Sequence, residues 1–232
     1  MATPLHLLIV PCHAIFRMDG RDPEDDSSWY LKSFQQGEGH LLTQHAKAGV
    51  EAAAKTSHSL LIFSGGQTHA PAGPISEAQS YWYLSEKARW WECSGVRDKA
   101  ITEEYARDSF ENVLFSICRF KQFTGRYPQK ISIFGWSFKR ERFERYSRYL
   151  RFPLPQFFYE GINDPPQKEH ALQGELLALS TSHETGETKR IDRNPFRRHH
   201  GYETDCPELG LLLASYKEIS ITSSFPWDAQ TR

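Results

Sequence analysis

Four short apolar runs constrain this chain more than anything else in it: LHLLIV at 5–10, SLLIFS at 59–64, KISIFGW at 130–136 and QFFYEGI at 156–162. Each is close to continuously apolar and ends in turn residues, as expected of strands covered on both faces rather than one. Between them lie segments with helical spacing, over about 40–55, 76–92, 107–124, 139–151 and 168–180. In the third of these, Phe110, Val113, Leu114, Ile117 and Phe120 fall at three- to four-residue intervals. Buried strands alternating with helices predict an α/β fold with a mainly parallel central sheet. No Pro/Gly/Ser-rich linker divides residues 1–232, so one domain is expected.

A sheet of this kind binds ligands outside the C-terminal ends of its strands, and polar groups collect where those ends are predicted. After 59–64 come Gly65 and Gly66, which let the backbone bend and approach a ligand. Ser76 and Glu77 follow at the start of a helix, where they can cap it and where its amides favour an anion. A tight strand-to-helix connection with no ligand reads equally from these residues. Cys12 and His13 follow the first run. A short element at 100–102 leads into Glu103 and Glu104, with Asp108 or Ser109 as helix cap and Glu111 and Asn112 in the first turn. Plain capping explains one of those residues but not all the carboxylates. After 130–136, Lys139, Arg142, Arg145 and Arg148 fall on one helical stripe, with Arg151 one step beyond; a solvated basic face is the alternative.

The formal net charge is −1, so a polyanion would have to be met by such a local cluster. Aromatics make up 13% of the chain, six of them Trp, which supports a packed core over disorder. Cys12, Cys93, Cys118 and Cys206 are scattered without metal-ligand spacing, so reduced thiols, no metal site and no cofactor are expected. The first apolar run is too short for a signal-peptide core or a membrane span; a cytoplasmic protein with neither membrane nor DNA as partner is expected.

Taken together, FSGGQT…SEAQSY, EEYARDSFENVLFS and SFKRERF resemble the domain-of-unknown-function family that contains the bacterial SanA, ElyC and YdcF proteins, in order across about residues 5–165. The resemblance implies a Rossmann-like three-layer sandwich, followed here by a C-terminal extension from about 165. Lys139 stands where bacterial members usually carry a His, and Arg142 keeps the family's Arg. The remainder, including YEGINDPP and RNPFRRHHGYETDCPELGLLL, resembles the compact fungal branch and is similar to fungal arginine-containing cyclodipeptide synthases. These join aminoacyl groups from charged tRNAs into cyclic dipeptides and carry an Asp-Asp-x-x-Glu motif. Asp108 and Glu111 match its last two acids, Arg107 stands at the first, and Asp25–Asp26 lacks the matching Glu.

That likeness implies an aminoacyltransferase whose partners are Arg-tRNA and a second charged tRNA. An aminoacyl ester is already activated, and no Walker-type loop is present. The catalytic set would be Glu103 or Glu104 as base, with Asp108, Glu111, Asn112 and His13; Asp108 or Glu111 would clamp the arginine guanidinium. Ser64, Gly65, Gly66, Ser76, Glu77, Ser109, Ser137, Lys139 and Arg142 would bind substrate. Arg145, Arg148 and Arg151 would grip tRNA phosphates, helped by Arg193, Arg197, Arg198, His199 and His200. Ser64, Ser137 and Cys12 each stand as candidates for a covalent intermediate. The competing readings are a nucleotide- or S-adenosylmethionine-binding protein, and a small-molecule phosphohydrolase with Lys139 and Arg142 on the phosphate.

Overall fold

The computed structural model describes residues 4–19, 21–181, 194–214 and 224–228. Among the described residues are seven strands and seven α-helices, alternating from α1 to α5. They are β1 (His6–Pro11), β2 (Ile15–Phe16), β3 (Trp29–Tyr30), α1 (Gly39–Lys55), β4 (Ser59–Ser64), α2 (Glu77–Lys87), β5 (Ala100–Glu103) and α3 (Ser109–Thr124), then β6 (Lys130–Trp136), α4 (Arg140–Tyr149), β7 (Phe157–Asn163), α5 (Lys168–Thr181), α6 (Tyr202–Asp205) and α7 (Gly210–Ala214). Five strands form one sheet in the order β5-β4-β1-β6-β7, and each neighbouring pair is parallel. The fold is therefore the expected Rossmann-like three-layer sandwich. The small antiparallel pair of β2 and β3, too short to show a period, was not foreseen from the sequence.

Alternation along the strands sends side chains to two cores. Leu7, Ile9, Leu60, Ile62, Ile131 and Ile133 face α3 and α4, where Phe110, Leu114, Phe120 and Phe143 pack with Tyr202, Leu209, Leu212 and Trp227 of the C-terminal extension. Leu8, Val10, Leu61, Phe63, Phe134 and Trp136 face the other way, onto Leu42, Ala46 and Val50 of α1, Tyr81 and Leu84 of α2, and Phe16 and Trp29. Burial of a large apolar side chain contributes about 1.5–3 kcal/mol, so the extension is built into the core rather than appended to it.

The helix predicted over 76–92 stops at Lys87. Arg89, Trp90, Trp91 and Glu92 all carry left-handed φ, from 47° to 64°. L-residues pay roughly 1–2 kcal/mol each in that region. Trp90, 2% exposed and edge-on against Trp82, offsets this by packing into the second core. At the opposite end of α2, Ser76 accepts from the Gln79 amide while Gln79 accepts from the Ser76 amide, a complete capping box. Asp108, not Ser109, caps α3 by accepting from the Glu111 amide.

The edge of the sheet at β5 is closed by side chains. Glu103 O accepts from Gly65, so it points inward. Successive carbonyls alternate, and those of Ala100 and Thr102 point outward, where they accept from Trp82 Nε1 and Arg119 Nε. Among the described residues no helix is long and apolar enough to cross a membrane, and all four cysteines are free thiols.

Candidate functional site

All five parallel strands deliver their C-terminal residues to one edge. There the connections after β1 and β6, neighbours in the sheet, run off in opposite directions and open the crevice where ligands of such sheets bind. The edge divides into two halves of different character.

At the β4–β5 half every carboxylate is engaged by the fold. Glu103, 1% exposed, accepts from Ser64 Oγ at 2.6 Å and from the amides of Tyr105 and Ala106 at 2.7 and 3.2 Å. Asn112 donates to Ser64 O and Oγ. Burial pushes the Glu103 carboxyl up to about 7 against these hydrogen bonds. Glu111, its side chain fully buried, holds Arg107 through Nε and Nη2 and through the Arg107 amide. The expected guanidinium clamp is thus filled by the chain's own arginine, a correction to the reading of Glu111 as a substrate clamp. Asp108 is used as a helix cap, and Glu104 accepts from Thr102 and pairs with Arg198.

The glycine turn belongs to this half. A Cβ on Gly65 would sit 2.5 Å from Glu77 Oε2, and one on Gly66 would sit 3.0 Å from Ala106 O and 3.2 Å from Arg197 Nη2. Close approach is what the glycines permit, but the approaching groups are Glu77 and the extension rather than a ligand. Residues 194–200 lie across the turn as a strap. Asn194, fully buried, donates to the carbonyls of His69 and Gly73. Arg197 donates to Ala106 O, and the Arg198 amide donates to Gln67 Oε1. His200 stacks on Tyr202. Of the residues expected on tRNA, Arg197 is turned inward onto Ala106 O, whereas Arg198, paired with Glu104, and His199 are exposed; Arg193 lies outside the described residues.

The β1–β6 half holds polar groups that the fold leaves unpaired. His13, just past β1, is half-buried, and among the described residues its ring makes no hydrogen bond; Cys12 beside it is buried, and burial raises its thiol pKa. Burial first, then the charge of Lys139 and the neighbouring His45, Lys32 and Arg142, hold His13 well below the usual imidazole range. Lys139, in the turn before α4, has no carboxylate within ion-pair distance among the described residues. Burial and then Arg142 lower its ammonium to about 8, while Glu175, Glu38 and Glu77 counter from farther away. Glu77, which lies between the two halves at the glycine turn, is not one of these unpaired groups: it accepts from Thr68 Oγ1 at 2.6 Å, and burial raises it to about 7 against that bond and the pull of Lys32, Arg197 and Lys139.

Arg142, second in the basic stripe, turns to Glu175 of α5 in a two-pronged pair, Nε to Oε1 at 2.6 Å and Nη2 to Oε2 at 2.5 Å, with Ser109 Oγ at 3.5 Å. Ser137 is half-buried beside the crevice. Arg145 and Arg148 are exposed, whereas Arg151 faces Asp228 at 3.5 Å and stacks on Phe225, away from the stripe. Sequence reasoning missed His45, Gln67 and Asn163. His45 and Gln67 are fully buried, each with one ring or amide nitrogen lacking a hydrogen-bond partner among the described residues. Position on an apolar helix face hid His45; a polar residue where an apolar one was expected was the available signal.

No family model and no solved structure matches the chain. It is similar to the uncharacterized protein YOR238W of Saccharomyces cerevisiae, 28% identical over 301 residues, with 99% of each chain covered.

Proposed function

We propose that the chain binds a phosphate-bearing small molecule in the β1–β6 crevice and moves a proton on it. The observation that carries this reading is Lys139: a half-buried ammonium at the mouth of the crevice with no carboxylate at ion-pair distance among the described residues. A buried cation without an anion is costly, and a phosphate oxygen is the partner that restores its charge. His13, kept neutral, presents a lone pair to the ligand, and Glu77, poised near neutrality, supplies a group able to exchange a proton at physiological pH.

Titration calorimetry with inorganic phosphate, AMP and ribose 5-phosphate tests it. At least one should bind the parent, and Lys139→Met should weaken that binding by about tenfold or more, equivalent to about 1.4 kcal/mol. Equal binding by the two proteins, or none to the parent, overturns the reading.

A second reading, tRNA-dependent formation of an arginine-containing cyclic dipeptide, is favoured by the exposed Arg145 and Arg148 on α4. It ranks lower because Arg107 fills the Glu111 seat and Glu175 occupies Arg142. Mass spectrometry of medium from a bacterial host expressing the chain decides it: an arginine-containing cyclic dipeptide would put this reading first.

A further inference from the structure

The Asn163 side chain is oriented by its own donors. Its Nδ2 lies 3.2 Å from the Leu41 carbonyl and 2.9 Å from Gln44 Oε1, and a backbone carbonyl can only accept. Its Oδ1 is therefore the atom 2.7 Å from His45 Nε2, and that ring nitrogen must donate. His45 is held neutral, burial lowering it to about 4 against the Asn163 bond and with a smaller push from Lys139. A neutral imidazole with its proton on Nε2 carries a lone pair on Nδ1. That Nδ1 is buried and has no hydrogen-bond partner among the described residues, in a side chain that is fully buried. An unsatisfied buried acceptor is destabilising unless something uses it.

His13 is one of two aromatic neighbours of the His45 ring, edge-on to it with centroids 5.9 Å apart and planes at 77°. Trp136 borders both rings, at 4.6 Å from His45 and 6.0 Å from His13. The register shift at Gly135/Trp136 sets Asn163 beside Trp136 at the end of β7, so a strand, a helix and the β1 turn converge here. The groups acting on His13 are Lys139, His45, Lys32 and Arg142, and its backbone carbonyl accepts from Gln35.

We infer that Asn163 and His45 are positioning residues that hold His13 in one tautomer, its N–H turned toward His45 Nδ1 and its remaining lone pair toward the crevice. His13 is then the catalytic residue, a base with a defined direction. The ligand is a phosphate-bearing molecule that has, or is accompanied by, an ionisable O–H. That O–H bond breaks, its proton passes to the free His13 nitrogen, and the electron pair remains on oxygen. The ligand class rests on the reading proposed above; the arrangement of the three side chains does not.

Nitrogen-15 NMR of the histidine side chains in the full chain, without ligand at pH 7, tests it. His45 should carry its proton on Nε2, and His13 should populate one tautomer. In His45→Phe, His13 should become a mixture, while His45→Gln, which can present an amide oxygen in place of the lone pair, should restore one form. Carbethoxylation of His13, mapped by peptide mass spectrometry, should slow by about twofold in His45→Phe, because an even mixture of tautomers turns the lone pair toward the crevice in only half of the molecules. If His45→Phe does not fold, Asn163→Leu must release the His45 tautomer and give the same mixture at His13. A proton on His45 Nδ1, or a His13 tautomer unchanged in a folded variant, overturns the inference. Failure of phosphate binding leaves these ligand-free spectra unaltered, so the two ideas fail separately.

Discussion

The two halves of the sheet edge contain the same kinds of residue and use them oppositely. Around β4 and β5, Glu103, Glu111 and Glu104 each have fold partners, down to backbone amides. Around β1 and β6, Lys139 has no ion-pair partner among the described residues, the His13 ring makes no hydrogen bond among them, and His45 Nδ1 has none. Charge after a strand is common to both halves, so charge alone does not mark a site. Whether the fold already satisfies that charge is what separates structural residues from those left for a ligand.

The sharpest way to break this contrast is to remove Glu103. Glu103→Ala leaves Ser64 and the Tyr105 and Ala106 amides unmatched in a buried place. A loss of about 2–4 kcal/mol is expected, read as a lower urea midpoint at unchanged slope. A neutral outcome would mean that the β4–β5 half is not held by its carboxylates. Next is Arg107→Ala, which strands the buried Glu111. Because the arginine is partly exposed and screened, about 1–3 kcal/mol is expected. Adding Glu111→Gln should recover much of it.

A smaller effect concerns pH. Glu77 has a folded pKa of about 7 against an ordinary 4.5, so the native state holds its proton more tightly between those values. Its contribution to stability is present below pH 4.5 and is lost as the pH rises to about 7. His45, lowered from 6.5 to about 4, acts in the opposite sense: its contribution is present above 6.5 and is lost as the pH falls toward 4. Urea midpoints from pH 4.5 to 7 should therefore rise more steeply with pH in Glu77→Gln than in the parent. Parallel curves would show that Glu77 is not held protonated. The smallest effect belongs to the exposed stripe. Arg145→Glu with Arg148→Glu should change stability by about 0–1 kcal/mol, and a loss of tRNA affinity in that variant would move α4 from solvated face to interface.

Much of the fold was legible because apolar runs and helical spacing are local. β4 and β6 lie where their runs predicted, and Asp108 and Ser76 cap as their spacing implied. The site was legible only as a list of strand ends. Which carboxylate meets which partner depends on contacts across 39 residues for Ser64 and Glu103 and 118 for His45 and Asn163, and no local pattern encodes those. The glycine turn shows the same limit: GG announces close approach, but not that Glu77 and Arg197 are what approach. The left-handed run at 89–92 was invisible because none of its four residues is Gly or Asn.

The capped carbonyls of β5 bear on how this protein behaves at high concentration. An open parallel sheet ends in a strand whose outward backbone groups invite another chain to add on, a starting point for self-templated aggregation. Here Trp82 and Arg119 reach around from helices on opposite faces and occupy the acceptors of Ala100 and Thr102. A newcomer would find these two outward acceptors already taken and would have to displace an indole and a guanidinium to use them. The same two side chains border a groove of about 340 Å³ along that edge, so they hinder strand addition there while leaving a recess beside it.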